Sequence, residues 1–238
     1  MHPDSTDGLV RLLTQAAPSA TPQALGVLML REDAQFSRIA AGRATALVDA
    51  ALEDGRRMAD SIRRRWGNEP DLIACQCNVA VCESDVEQGW ATTVVYAQYL
   101  ERPARITLFR PTVARMQRGL AQPEVARIAG VEQARPMLLA HELYHHFDAR
   151  RDGPPLARQH RVTVLRLGPW RWTSGVVSLA EIAAGAFAQR LLELPWHPRW
   201  FDFITLFGAN PAAARRLVAA LRAADVVDLA QGRPGVAQ

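Results

Sequence analysis

The chain has 238 residues, 49% of them hydrophobic, and a net charge of +4 from 28 basic and 24 acidic residues. That length and apolar content suit one substantial core with a small appendage. Every basic residue is an arginine, which excludes a P-loop lysine and any lysine Schiff base. Arginine-only basicity beside heavy alanine use reads as the coding bias of a GC-rich bacterial genome, so no nucleic-acid partner is expected from the charge alone. No basic leader or spanning apolar run is visible near the N-terminus, so the expectation is a cytoplasmic protein with no membrane partner.

In chain order, residues 1–20 are rich in Ser, Thr, Pro and Asp and read as a flexible N-terminal segment. Thr21-Pro22 has the form of an N-cap followed by a first-turn proline, opening a short helix. A longer helix is expected over 36–66, with Leu47, Ala51, Met58 and Ile62 as its apolar stripe and Gly67 at its end. Three strands follow, over 71–82, 92–99 and 104–110. The links between them are too short for helical crossovers, so the sheet should be mostly antiparallel. Cys75, Cys77 and Cys82 are odd in number and clustered, which argues against a disulfide framework. A metal site from these three is conceivable, but their alternation with Ile73, Val79 and Val81 reads more simply as the buried face of the first strand.

Short helices near 113–118 and 124–128 lead to His141-Glu142-Leu143-Tyr144-His145, an HExxH pattern. On a helix over 137–148, entered through Pro136, the two histidines lie one turn apart and can share a metal ion. Glu142 sits a third of a turn round, where it can act as general base on a water whose pKa zinc lowers to about 7. His146 points away from the histidine face and reads as a supporting or packing residue. Zinc in a catalytic site usually takes a third protein ligand. Glu181, in the first turn of an alanine-rich helix, is the best candidate, although it also sits where a capping box with Ser178 would use it. Asp148 and His160 are its rivals. His160 could instead stabilise an oxyanion.

Between the ligand helices, 161–173 alternates like strand, broken at Gly168-Pro169 and carrying Trp170 and Trp172. Trp196, Trp200, Phe201 and Phe203 form a further aromatic group, read as a satellite core rather than a substrate pocket. Asn210-Pro211 opens a last helix to about residue 224, followed by a Gly/Pro tail.

The segment His141-Glu142-Leu143-Tyr144-His145-His146, taken with Glu181-x-x-Ala184-x-x-Phe187-Ala188 and the following Leu191-Leu192-Glu193-Leu194-Pro195, resembles the ImmA/IrrE family of zinc metallopeptidases. The resemblance implies an α+β, zincin-like core with a small, mostly antiparallel sheet, an HExxH helix and a second ligand-bearing helix. Outside the two helices the likeness is one of layout, from roughly Arg38 to Pro195; the metallopeptidase-like domain is expected over residues 21–195, with 196–238 as a helical extension and tail. The resemblance also implies Zn2+ held by His141, His145 and Glu181, with Glu142 as the catalytic residue. The expected activity is hydrolysis of a peptide bond in a regulatory protein, such as a transcriptional repressor. Two features depart from the family. Tyr144 stands where glycine is usual, and could narrow the cleft, donate to a transition state, or simply pack. The Leu-Leu-Glu-Leu-Pro ending is one residue longer. The rival readings are a regulatory binding module that retains the fold without proteolysis and a zinc hydrolase of a non-peptide substrate.

Overall fold

The computed structural model describes residues 3–40, 42–86, 89–90, 93–131, 133–168 and 170–231. The helices and strands, in chain order, are α1 (Pro3–Ala16), α2 (Pro22–Arg31), α3 (Arg43–Trp66), α4 (Pro70–Gln76), β1 (Ala80–Ser84), β2 (Gly89–Trp90), β3 (Thr93–Val94), β4 (Ala97–Leu100) and β5 (Arg105–Phe109). Then come α5 (Arg110–Leu120), α6 (Pro123–Ala129), α7 (Ala134–Ala149), α8 (Leu156–Gln159), β6 (Arg161–Leu167), β7 (Trp170–Gly175), α9 (Ser178–Leu192), α10 (Asp202–Ala209) and α11 (Pro211–Gln231). Single 3-10 turns occupy Ala17–Ser19, Phe36–Arg38 and Pro198–Phe201. The protein is α+β and mostly helical, and among the described residues no helix is long and apolar enough to cross a membrane.

Local chemistry explains the helix starts. Thr21 accepts from the Ala24 N–H at 3.1 Å with Pro22 at the first helical position of α2, and Asn210 accepts from the Ala213 N–H at 3.0 Å to open α11. The α3 helix begins only at Arg43, because Gly42 takes a left-handed φ of 77° and separates it from the 3-10 turn at Phe36–Arg38. The helix expected over 36–66 is therefore two pieces.

Two apolar clusters fill the interior. One joins α3, α7 and α9 to the sheet through Val48, Leu52, Leu143, Ile182 and Phe187. The other joins α1, α2, α5, α6, α10 and α11 through Leu13, Leu25, Met116, Trp200, Phe203 and Leu221. At the centre of the first, α3 lies on α9 with backbone against backbone. A Cβ on Gly55 would stand 2.1 Å from the Ala183 carbonyl oxygen, so only glycine allows this approach. The α9 helix is buried almost all round, which its run of alanines and a glycine permits.

Several expectations need correction. Residues 3–19 are not a mobile lead: α1 buries Leu9, Leu12 and Leu13 in the second cluster, so its helical apolar spacing outweighs its polar composition. The expected strand over 71–82 is mostly helix. Pro70 opens α4, whose Pro70, Ile73 and Ala74 face inward at helical spacing, and strand begins only at Ala80. Cys75 is consequently exposed, and Cys77 and Cys82 are half-buried, so they do not form the buried face of a strand. The three-stranded sheet has the order β1-β5-β4, with β1 parallel and β4 antiparallel to β5. The run over 104–110 is thus the central strand, and the edge beside α7 belongs to β4. The β2-β3 and β6-β7 pairs are antiparallel hairpins. Trp200, Phe201 and Phe203 are buried, as a satellite core requires. Residues Thr92 and Pro169 and the tail 232–238 lie outside the described residues.

Candidate metal centre

His141 and His145 sit one turn apart on α7, their ring centroids 5.2 Å apart. Glu181, in the first turn of α9, reaches both: its Oε2 lies 3.1 Å from His141 Nε2 and its Oε1 3.5 Å from His145 Nε2. The three potential ligand atoms all lie within 4.8 Å of one another. These three side chains could supply three of the four positions of a tetrahedral shell, so this His/His/Glu set could hold a metal ion.

Glu181 is free for this because another residue serves the start of its helix. The Ser178 N–H donates to Asp33 Oδ2 at 2.9 Å, and no side chain of α9 caps its own N-terminus. The capping box between Ser178 and Glu181 does not form.

The electrostatics favour a bound cation. Burial by itself would raise the Glu181 pKa, but hydrogen bonds and charge from His141 and His145 outweigh it and hold the carboxyl well below the usual range. Burial disfavours a charged His145, yet Glu181 wins and lifts it to about 9. In the metal-free site the ionised Glu181 is balanced by the proton it holds on His145, a place that a metal ion could take. Glu142 is buried beside it, and burial pushes its pKa up against the pull of both histidines and the backbone N–H of Tyr99, which donates to it. That N–H belongs to β4, so the sheet edge and the metal helix are tied together at this carboxylate.

The remaining candidates lie elsewhere. Tyr144 is fully buried, and its hydroxyl donates to Asp54 Oδ2 on α3 at 2.9 Å. Arg151 grips the same carboxylate through two bonds of 3.0 and 2.7 Å and pairs with Asp148 at 2.7 Å. Tyr144 therefore locks α7 to α3 rather than narrowing the cleft. Asp148 accepts the Leu156 N–H at 2.9 Å and is committed to that turn, so it is no third ligand. His146 is buried on another face, where its Nδ1 stands 3.2 Å from the Tyr99 hydroxyl, and burial beside Arg150 lowers its pKa to about 4. His160 ends α8, its carbonyl taking the Val176 N–H, and is not brought to the cluster.

Three residues missed in the sequence line the site. A cavity of about 250 Å³ opens beside His141, Glu142 and Glu181, bounded by Val94–Ala97, by Met29, Met116 and Met137, and by His197, Arg199 and Asp202. It adjoins a second of about 700 Å³ that shares Tyr96, Arg199 and Asp202 and runs on to Leu217 of α11. Arg199 bonds Asp202 at 2.9 Å and Glu32 at 2.7 Å, tying the segment after α9 to the end of α2. His197 is completely enclosed. Its Nδ1 accepts the Arg199 N–H and its Nε2 donates to the Ile182 carbonyl, both at 3.2 Å, in space left by Gly185, where a Cβ would lie 2.2 Å from the ring. Trp196-His197-Pro198-Arg199-Trp200 was legible only as an aromatic group, which hides its histidine and arginine.

His197 yields a pH prediction. Burial lowers its pKa to about 4, below the ordinary histidine value near 6.5. Between those values the unfolded chain binds the proton and the folded one does not, so stability falls as pH drops from 6.5 towards 4. The difference between pH 7.5 and pH 5 is about 2 kcal/mol from this residue. Urea midpoints for wild type and His197→Gln at both pH values should show a shallower pH dependence in the variant. Parallel pH profiles would refute the assignment.

Comparison of the chain with protein-family models, with curated proteins and with solved structures yields no match. What the site can do must come from its own geometry.

Proposed function

We propose that the protein is a zinc-dependent peptidase of the ImmA/IrrE kind, with a zincin-like arrangement of β4, α7 and α9. The observation that carries this reading is Glu181. It lies forty positions from His141 in sequence, yet its carboxylate meets both histidines of the HExxH helix while Glu142 stands beside them. A His/His/Glu set with a neighbouring buried carboxylate is the donor arrangement of a catalytic zinc site. When bound there, zinc would serve as a Lewis acid and lower the pKa of an attacking water.

The chain's own residues do the rest. Glu142 takes the proton of the attacking water on its carboxylate and delivers it to the departing amine nitrogen. In the metal-free site burial pushes its pKa up, the direction that favours accepting a proton. The backbone N–H of Tyr99 keeps the carboxylate aimed at the site. An extended substrate can lie along residues 94–97 at the start of β4, a terminal strand of the sheet, with a side chain in the methionine-lined cavity. A regulatory protein with an exposed strand-like segment is the expected substrate. With its hydroxyl turned to Asp54, Tyr144 does not crowd the cleft, so it gives no support to a non-proteolytic module.

The test is metal removal. The purified protein should contain zinc, cut proteins encoded by neighbouring genes, lose cleavage after chelation and regain it when zinc is returned. A zinc-loaded protein that cuts none of these, nor a randomised peptide library, would support the binding module instead.

A further inference from the structure

The β6-β7 hairpin joins the metal helix region to α9, and only its base packs on the body. There Val162 lies against the core, and the hairpin meets α8 and the turn at Phe36–Arg38. Pairing of Leu165 with Trp172 and Leu167 with Trp170 puts these four side chains on one face of the outer half. The bulge between Thr163 and Leu165 keeps that face in phase with Val162 and Ser174 at the base. Beyond the body it is uncovered: Leu165 is 54%, Leu167 65%, Trp170 70% and Trp172 56% exposed.

The other face sets Arg166 directly across from Arg171, a like-charged pair that costs stability in the isolated strand pair. Neither forms an ion pair among the described residues, and both are exposed. No acidic residue occurs between Asp152 and Glu181, whereas Arg158, Arg161, Arg166 and Arg171 all fall in that stretch. The segment therefore complements an anionic partner, and it is two-sided.

We propose that this hairpin seats the protein on an anionic lipid bilayer. Leu165, Leu167, Trp170 and Trp172 enter the boundary between headgroups and acyl chains, and the Arg166/Arg171 pair meets lipid phosphates. An apolar aromatic face backed by arginines is what an element lying in the interface plane requires, since both faces are then satisfied at once. A protein docked on the apolar face would leave the arginine pair in water and its repulsion unrelieved. Tryptophan suits this depth, having an apolar ring and a polar N–H. The expectation of no membrane partner rested on the lack of a spanning run, and an interfacial hairpin needs none.

The experiment is co-sedimentation of the full-length, zinc-loaded protein with phosphatidylcholine vesicles, with and without roughly 30 mol% phosphatidylglycerol. Wild type should pellet with the anionic vesicles about tenfold more tightly than with neutral ones, and release as salt screens the arginines. Trp170→Ser with Trp172→Ser should weaken anionic-vesicle binding about tenfold or more, as should Arg166→Gln with Arg171→Gln. Unchanged zinc content and melting temperature would show that the variants fold, and the result stands whether or not the protein cleaves peptides. Failure to pellet with anionic vesicles at low salt, or undiminished binding by the double tryptophan variant, overturns the proposal. A wild-type dimer that the tryptophan variant converts to monomer, without vesicle binding by either, gives the face to a second copy and also overturns it.

Discussion

Glu142→Gln is expected to bind zinc as wild type does and to lose peptide hydrolysis by about a thousandfold, within the range that general acid–base groups contribute. That corresponds to about 4 kcal/mol of transition-state stabilisation. Glutamine keeps the shape of the side chain, and its carbonyl oxygen can still accept the Tyr99 N–H, so neither α7 nor the β4 edge has reason to move. What disappears is a group that can take and return a proton. The wild-type carboxylate is buried, and in the metal-free site that burial raises its pKa, the direction that favours accepting a proton. The cleanest measurement is kcat at saturating substrate with zinc content determined on the same preparation. A variant that retains zinc and cleaves within a factor of about three of wild type would remove Glu142 from the proton transfer and leave the peptidase reading without its base.

How much of this was legible beforehand varies with how local the cause is. The HExxH helix was readable because two histidines at i and i+4 determine their own proximity, and Thr21-Pro22 and Asn210-Pro211 were readable because caps act within three residues. The segment 71–82 misled for the same reason: alternating Ile73, Cys75 and Cys77 imitates a strand, while the deciding feature is Pro70 setting the first turn of α4. Nothing local predicts that Asp33 supplies the N-terminal bond of α9, so Ser178 and Glu181 looked like a capping box. The same blindness applied to Tyr144, whose partner Asp54 is ninety positions away. Which strand forms the edge beside the site depends on the parallel pairing of β1 with β5, a long-range contact that strand spacing alone does not encode.

Glu181→Ala should lower zinc affinity by more than about a hundredfold, exceeding the ten- to hundredfold typical when a residue that merely supports a ligand is removed. The alanine is tolerated by α9, which is already alanine-rich, and no cap is lost because Asp33 holds the helix start. Without the carboxylate, His145 loses the hydrogen bond and the Glu181 charge that help raise its pKa to about 9, leaving burial opposed only by the charges of Glu142 and Asp148, so its pKa falls. Its proton should therefore leave at lower pH, which NMR of the ring can follow in the metal-free variant. Glu181→Gln separates charge from shape. It retains side-chain length and a hydrogen-bonding oxygen but contributes no anion, so its zinc affinity should fall almost as far. Neither of the other third-ligand candidates can take over, since Asp148 is held by the Leu156 N–H and Arg151 and His160 lies at the end of α8. If Glu181→Ala binds zinc as tightly as wild type, then Glu181 is a hydrogen-bond partner of the two histidines and not a ligand, and the proposed centre has lost its third ligand.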